Sequence, residues 1–233
     1  MDTAGVKSAA KRVLPSGTRV LRLPMGIGRG LRLGVDLRGG HIRLYLGFYE
    51  TELNKHLRQL TNGVTCSFDI GGQVGYDALV LAKLTKGRVV SVDCDPLCCA
   101  QIQENAAANP KYTNSIAVRN AFVTGSQRSS LDKATVTLDN LARETCSPQL
   151  VKLDIEGGEV DALRGAPDLL GHVKPSWIIE VHSQDLESDV LRILREHGYC
   201  PIIVDQRRWF PDHRPIPHNR WIVAAAPTRD LRP

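Results

Sequence analysis

Hydrophobic and polar positions follow two different patterns in this chain, and the change comes near residue 60. Between residues 18 and 47, short runs alternate arginine with apolar residues and are broken by glycines, which predicts β-hairpins. Residues 48–61 carry leucines at helical spacing before an Asn-Gly stop, which predicts a helix. Residues 1–17 are expected to be a loosely ordered lead-in. We therefore predict an N-terminal extension over residues 1–60, made of short strands and one helix.

Beyond residue 60, apolar strand-like runs alternate with helical runs. The predicted strands are 64–70, 88–93, 115–121, the start of 135–145, 150–155, 176–181, 200–205 and 220–226. The predicted helices are 75–85, 96–109, the rest of 135–145, 159–170 and 187–198, with Asp95 and Asp139 as expected N-caps. This alternation is typical of a doubly wound α/β domain with a mostly parallel sheet. We predict one such domain over residues 61–233.

Composition is ordinary for a globular protein with a sizeable core, at 42% hydrophobic and 24% charged residues. No apolar run approaches the roughly 18 residues that a membrane helix needs. The N-terminal residues also lack the continuous apolar region of a secretory signal. We therefore expect a soluble, cytoplasmic protein with no membrane partner.

Positive charge is concentrated near the N-terminus. Residues 1–43 contain nine basic and two acidic residues, whereas the whole chain carries a net charge of +5. A basic segment attracts nucleic acid, membrane surfaces or anionic substrates. Because the arginines alternate with apolar residues at period two, we interpret them as the solvated face of hairpins. The segment also lacks aromatic residues for base stacking, which makes nucleic acid the weaker interpretation.

The six cysteines predict no metal centre. Cys94, Cys98 and Cys99 form a cluster, but a structural zinc site needs a second pair of ligands, and the sequence has none at suitable spacing. Most of the cysteines lie in or beside apolar runs, where a free thiol packs as a small hydrophobic group. We expect them to be reduced and structural.

The first candidate site follows the strand predicted at 64–70. Ligands of doubly wound sheets bind beyond the carboxyl ends of the strands. Here the chain reads Asp69-Ile70-Gly71-Gly72-Gln73-Val74-Gly75, and glycines let the backbone approach a ligand closely. Gln73 stands where a dinucleotide enzyme would carry a glycine. Asp69 would repel a pyrophosphate but attract the ammonium of a bound amino acid, which favours S-adenosylmethionine over NAD.

The next two strand ends supply further nucleoside contacts. Asp93 closes its strand roughly 20 residues after the glycine loop, where a carboxylate accepts the ribose hydroxyls. Asn120 and Ala121 follow the third strand and are candidates to lie beside an adenine. Asp93 fits either type of cofactor, so it predicts a nucleoside without choosing between them.

Carboxylates and a histidine at the last parallel strand ends are the catalytic candidates. Asp154 and Glu156 share one face of their strand at its mouth, while Glu159 is expected to be a helix-start charge. For Glu156, a functional role and a structural role as a helix-start charge both stay open. His182 follows the strand 176–181, and the ordinary pKa of a histidine side chain suits a general base. An alternative makes Asp154 and Glu156 ligands of Mg²⁺, which we do not favour.

Five segments in this order resemble the FkbM-type methyltransferases. They are GFYETEL at 47–53, DIGGQVGYDALVLA at 69–82, TVTLDNL at 135–141, VKLDIEGGEVDALRGA at 151–166 and PSWIIEVHS at 175–183. The resemblance covers roughly residues 26–205. Family members often carry Ala-Asn in place of Gly72-Gln73 and Glu-Pro in place of Asp93-Cys94, which are mild differences.

The resemblance implies a Rossmann-like class I methyltransferase with a seven-stranded, mostly parallel sheet. It also implies methyl transfer from S-adenosylmethionine, usually to a hydroxyl of a sugar or small metabolite. The cofactor-binding candidates that follow from it and from the strand ends are Asp69, Gly71, Gln73, Gly75, Asp93, Asn120, Ala121 and Glu50, the last within GFYETEL.

Three other functions compete with this one. The basic N-terminal segment would suit an RNA methyltransferase. A protein that binds an adenosyl ligand without turnover is a second alternative, and a nicotinamide dehydrogenase is the weakest. The leading mechanism has Asp154 or His182 as the general base, with the other orienting the acceptor.

Overall fold

The computed structural model describes residues 17–126, 134–207 and 218–227, so most of the predicted lead-in lies outside the described residues. The strands are β1 (Arg19–Arg22), β2 (Arg32–Val35), β3 (Cys66–Ile70), β4 (Arg88–Asp93), β5 (Ile116–Asn120), β6 (Phe122–Val123), β7 (Thr135–Val136), β8 (Leu150–Leu153), β9 (Ser176–Val181), β10 (Ile202–Val204) and β11 (Arg220–Ala224). The α-helices are α1 (Ile42–Tyr45), α2 (Asn54–Leu60), α3 (Tyr76–Thr85), α4 (Pro96–Ala107), α5 (Leu138–Glu144), α6 (Glu159–Arg164) and α7 (Gln184–Glu196).

Seven strands form the central sheet in the order β10-β11-β9-β8-β3-β4-β5. The five strands from β9 to β5 are parallel, and β10 and β11 are antiparallel to their neighbours. β3, β8 and β9 are buried along their whole length, as expected of strands with a helix layer on each face. The predicted doubly wound, mostly parallel sheet is confirmed. The carboxyl ends of β3, β4, β5, β8 and β9 therefore meet at one edge.

Apolar side chains fill two clusters, one on each side of the sheet. Phe68, Val151 and Trp177 lie in the cluster that α6 and α7 cover. The other cluster packs α3 and the N-terminal extension against the opposite face. α7 begins at Ser183, whose hydroxyl accepts a hydrogen bond from Leu186 N, and its apolar stripe is buried.

The N-terminal extension forms the predicted hairpin, with β1 and β2 paired antiparallel. Two asparagines, one in α4 and one just after it, hold the hairpin against the α/β domain. Asn105 Oδ1 accepts from Gly34 N at 2.6 Å, while Asn109 exchanges hydrogen bonds with the backbone N–H and carbonyl of Arg32 at 2.9 and 2.6 Å. α1 was not predicted. The predicted helix 48–61 starts later, with a 3₁₀ turn at Thr51–Leu53 followed by α2.

Three local predictions differ from the structure. The short strand at the start of 135–145 is β7, which pairs with β6 in a separate two-stranded ribbon. The predicted helix 159–170 ends at Arg164, because Pro167 has no backbone N–H to continue it, and a further single turn follows only at Leu169–Val173. Asp139 is not an N-cap.

Thr137 takes that capping position, since its hydroxyl accepts a hydrogen bond from Asn140 N at 3.2 Å. Asp139 instead accepts hydrogen bonds from Asp168 N and Leu169 N at 2.8 and 3.0 Å. The predicted cap at Asp95 is confirmed, because its carboxylate accepts from Leu97 N. The carboxylate of Asp139 therefore ties α5 to the turn that follows α6.

Cys66 and Cys146 form a disulfide, so the expectation of reduced cysteines is wrong for this pair. The two residues are 80 positions apart in sequence, and only the packing of β3 beside the segment after α5 brings their Cα atoms to 6.6 Å. Cys94, Cys98, Cys99 and Cys200 form no disulfide. Within the described residues, no helix has the length and apolar character needed to cross a membrane.

Candidate active site

The loop between β3 and α3 lies across the carboxyl edge of the sheet. Gly71 N and Gly72 N both donate to the Val92 carbonyl, at 2.8 and 3.1 Å. Gly71 has a φ of +89°, and a Cβ atom there would overlap the carbonyl oxygen of Asp154. A glycine is therefore required both by the backbone conformation and by the close approach of β8.

A cavity of about 440 Å³ opens beside this loop. Its apolar wall is formed by Ile70, Val92, Ala121, Phe122, Val123 and Ile155. Asp93 lies at one side, with Oδ2 accepting from Gln73 N at 2.8 Å and Oδ1 accepting from Asp95 N at 2.9 Å. Each carboxylate oxygen keeps a second lone pair, so Asp93 can still accept hydrogen bonds from a ligand's hydroxyl groups.

A second cavity of about 250 Å³ lies between the same loop and the N-terminal extension. Residues of the extension, including His41, Arg43 and Tyr49, line its outer side. Gly71, Gln73, Asp154 and Glu156 line both cavities, so the two meet at these residues. The arrangement provides adjoining places for two ligands, and Asp154 is one of the residues that line both.

Lys152 is the buried cation beneath this junction. Its Nζ lies 2.8 Å from Asp77 Oδ2, 3.4 Å from Glu50 Oε2 and 3.9 Å from Asp154 Oδ2. Burial acts to lower the pKa of Lys152, but the Asp77 and Glu50 carboxylates outweigh it and hold that pKa well above its ordinary value. Burial also raises the pKa of Glu50 well above its ordinary value. These contacts tie the last part of the extension and the first turn of α3 to β8.

His182 lies behind Asp154, between three carboxylates. Its Nδ1 is 3.2 Å from Glu159 Oε1, and its Nε2 is 3.7 Å from Asp154 Oδ1 and 3.6 Å from Glu180 Oε1. Burial lowers the pKa of His182, but the contacts with Glu159 and Glu180 and the nearby negative charge of Asp154 outweigh it and raise the pKa to about 10. Burial raises the pKa of Asp154 to about 8, and Glu180 adds to this while Lys152 opposes it.

The structure brings several sequence-predicted residues into the cavity linings. These are Gly71, Gln73, Asp93, Ala121, Asp154 and Glu156. Glu156 is exposed and has a φ of +39°, in the left-handed region that favours glycine. The Glu156-Gly157 pair therefore forms the bend between β8 and α6.

The remaining predicted residues lie around the cavities rather than among their lining residues. Asp69 is buried under the loop, where Oδ2 accepts from Ser91 Oγ at 2.8 Å, and burial raises its pKa to about 7. Gly75 begins α3 with a φ of +78°. Asn120 is exposed and donates to the Asp93 carbonyl at 3.0 Å, so it supports Asp93 rather than lining the apolar wall.

Sequence reasoning missed four charged residues of the site. Asp77, Lys152 and Glu180 were not candidates, and Glu159 was expected to be only a helix-start charge. Glu159 is fully buried, and its carboxylate also accepts from Gly157 N at 3.0 Å. One signal was available for Glu180, because residues 180 and 182 point to the same face of an extended strand.

Comparisons with known proteins show the family and the fold. The profile of the methyltransferase FkbM domain matches residues 69–200. Among solved structures, methyltransferase FkbM from Methylobacillus flagellatus KT is 20% identical with a TM-score of 0.57, over 69% of this chain and 43% of that one. This chain thus spans less than half the length of that relative.

Two further structures share the fold at low identity. Precorrin-6y C5,15-methyltransferase from Geobacter metallireducens GS-15 is 14% identical with a TM-score of 0.52, over 76% of this chain and 87% of that one. Cofactor-bound Rv0187 from MTB is 15% identical with a TM-score of 0.50, over 74% and 78%. A search of curated proteins found no match. The profile match spans more than half of the sequence, and the chain belongs to the FkbM methyltransferase domain family.

Proposed function

We propose that this protein is an S-adenosylmethionine-dependent O-methyltransferase that acts on a hydroxyl of a sugar or another small metabolite. The observation that carries the proposal is the position of Asp154, which is among the residues that line both cavities where they meet. A carboxylate at that junction can accept the proton of an acceptor hydroxyl beside a bound cofactor.

The larger cavity fits the cofactor's chemistry. Its apolar wall suits an adenine, and the Asp93 carboxylate suits ribose hydroxyls. Gly71 and Gln73 of the glycine loop line the cavity, and the buried Asp69 below the loop favours a positively charged amino group. S-adenosylmethionine supplies an electrophilic methyl group on a sulfonium centre.

The chain's own residues then have distinct tasks. Asp154 holds the acceptor hydroxyl and takes its proton, while His182 positions the Asp154 carboxylate from behind. Glu159 holds the His182 ring through Nδ1. The positive charge of Lys152 offsets part of the negative charge of the carboxylates around Asp154. Rate enhancement comes mainly from holding the two reactants next to each other.

The test combines cofactor binding with turnover. Calorimetry should show binding of S-adenosylmethionine and no binding of NAD. Mass spectrometry of sugars and small hydroxylated metabolites incubated with the protein should reveal one added methyl group. Asp154→Asn should lower turnover by about 10²–10⁴-fold, which is the usual effect of losing a general base.

A matched control is Glu196→Gln, which removes a carboxylate of an exposed ion pair with Arg192. It should leave binding and turnover unchanged. Absence of S-adenosylmethionine binding would refute the proposed function. Full turnover by Asp154→Asn would refute only the role of that residue.

A further inference from the structure

Three ligand atoms converge behind the junction of the two cavities. A carboxylate oxygen of Asp154, one of Glu180 and a ring nitrogen of His182 all lie within 4.8 Å of one another. The residues are almost completely inaccessible, at 6% and 1% exposed for Asp154 and Glu180 and 9% for the His182 side chain. Two acids and an imidazole gathered in this way form a set of ligands that divalent metals use in proteins.

The His182 ring is oriented as a metal-binding histidine would be. Its Nδ1 is held by Glu159 Oε1 at 3.2 Å, which places the opposite nitrogen toward Asp154 and Glu180. That nitrogen, Nε2, is buried and makes no hydrogen bond with any described residue. Metal-binding histidines almost always have their second nitrogen held by a carboxylate, carbonyl or water in this manner.

The distances also suit a common metal ion. Nε2 lies 3.7 Å from Asp154 Oδ1 and 3.6 Å from Glu180 Oε1. Ligand atoms that share an ion at about 2.1 Å are at most about 4.2 Å apart, so these separations correspond to angles of about 120° at the ion. They are too long for hydrogen bonds and appropriate for ligands of a single ion.

Electrostatics favour an additional cation at this place. Among the ion pairs of the described residues, the lysine that contacts this group of acids is Lys152, which is buried. The acids around it and around His182 are Glu50, Asp77, Asp154, Glu159 and Glu180. Buried carboxylates in excess of their cations are costly unless a proton or another cation compensates them.

We propose that Asp154, Glu180 and Nε2 of His182 bind one divalent transition-metal ion, of which Mn²⁺ and Zn²⁺ are the representatives. The imidazole ligand favours these ions over Mg²⁺, which prefers oxygen ligands alone. This ligand set replaces the Asp154–Glu156 pair considered from sequence, since Glu156 is exposed and lies outside the cluster. The ion competes with a proton for Nε2, so binding is stronger above neutral pH.

A metal here deepens the proposed function and rests on it for its catalytic role. Asp154 opens onto both cavities, so an acceptor hydroxyl could occupy a remaining position on the ion. The ion would lower the pKa of that hydroxyl so that its proton passes to solvent in the open cavity, and Asp154 would act as a ligand instead of taking the proton directly. Binding of the ion itself does not depend on methyl transfer.

The test measures metal binding without cofactor or acceptor. The full chain is stripped with a chelator, desalted at pH 8 and titrated with Mn²⁺, and the free ion is followed by electron paramagnetic resonance. We expect one Mn²⁺ per chain, displaced by Zn²⁺. Glu180→Gln and His182→Ala should each weaken binding at least about tenfold, and Glu159→Gln should weaken it by about 10–100-fold through the orientation of the ring.

Two variants control for other acidic and histidine sites. His172→Ala removes the exposed pair of His172 and Asp168, and Glu156→Gln removes the carboxylate of the earlier ligand set. Both should bind Mn²⁺ as the unmodified protein does. Circular dichroism establishes whether each variant is folded.

The metal site is refuted if the unmodified protein takes up no stoichiometric Mn²⁺ or Zn²⁺. This measurement needs no variant. The three residues would then be a cluster held together by shared protons. The metal site is also refuted if folded Glu180→Gln and His182→Ala bind normally, or if Glu156→Gln alone abolishes binding. Because the assay contains no cofactor, a negative result does not affect the test of methyl transfer, and a failure of methyl transfer does not affect this result.

Discussion

Substituting Gly71 by alanine should destabilise the protein much more than the same substitution at Gly157. Both glycines have left-handed backbones, with φ of +89° and +98°. Alanine therefore meets a similar backbone strain of about 1–2 kcal/mol at each. The difference lies in their surroundings, because a Cβ atom at Gly157 would meet nothing within 4 Å, whereas at Gly71 it would overlap the Asp154 carbonyl oxygen.

The overlap at Gly71 cannot be relieved without loss of other contacts. Gly71 N and Gly72 N are tied to the Val92 carbonyl at 2.8 and 3.1 Å, and Asp154 N donates to Ile70 O at 2.9 Å. Each such hydrogen bond contributes about 1 kcal/mol. Adding the loss of two of them to the backbone strain gives about 3–4 kcal/mol for Gly71→Ala, against about 1–2 kcal/mol for Gly157→Ala.

Equilibrium unfolding in urea measures this difference. The free energy of unfolding follows from the shift in midpoint when the slope is unchanged. Gly71→Ala should also weaken the binding of S-adenosylmethionine, because the loop must move away from β8. Equal destabilisation by the two variants would show that the loop does not press on Asp154, and the geometry of the junction would then be wrong.

Three further predictions concern buried charge and the disulfide. Lys152→Met should lower the free energy of unfolding by about 3–5 kcal/mol in urea, because it leaves buried carboxylates without their cation. Reducing the bond between Cys66 and Cys146, which closes a long loop, should lower it by about 2–4 kcal/mol, measured with and without dithiothreitol. The pKa of Asp69 is raised to about 7, so its carboxyl stabilises the fold while protonated, and that stability is lost as the pH rises from about 4 to 7. The free energy of unfolding of Asp69→Asn, relative to that of the unmodified protein, should therefore rise by about 1–3 kcal/mol between pH 5 and pH 8. A difference that stays the same at all pH values would contradict this.

Local patterns predicted the elements and several of the residues that line the two cavities. Alternating strands and helices follow from short-range periodicity, and so does the position of the strand ends that carry Gly71 and Asp93. Because parallel strands all present their carboxyl ends at one edge, residues from separate strands could be expected to meet there. Identifying Asp154 required no more than its place at such an end.

The environments of the charged groups were decided only by the tertiary structure. Glu159 has the sequence position of an ordinary helix-start charge, yet α6 packs so that this carboxylate is buried against His182. Asn120 has the position of an adenine contact, yet its amide points to the Asp93 carbonyl.

The sequence by itself therefore determined the doubly wound sheet and the glycine loop, since both depend on the conformations of neighbouring residues. Tertiary structure alone decided which charges face one another, as in the contact of Lys152 with Glu50 and the bond between Cys66 and Cys146. The physical reason is that ion pairs, metal sites and pKa shifts depend on distances of a few ångströms and on burial. Packing sets those quantities between residues that are far apart in the chain.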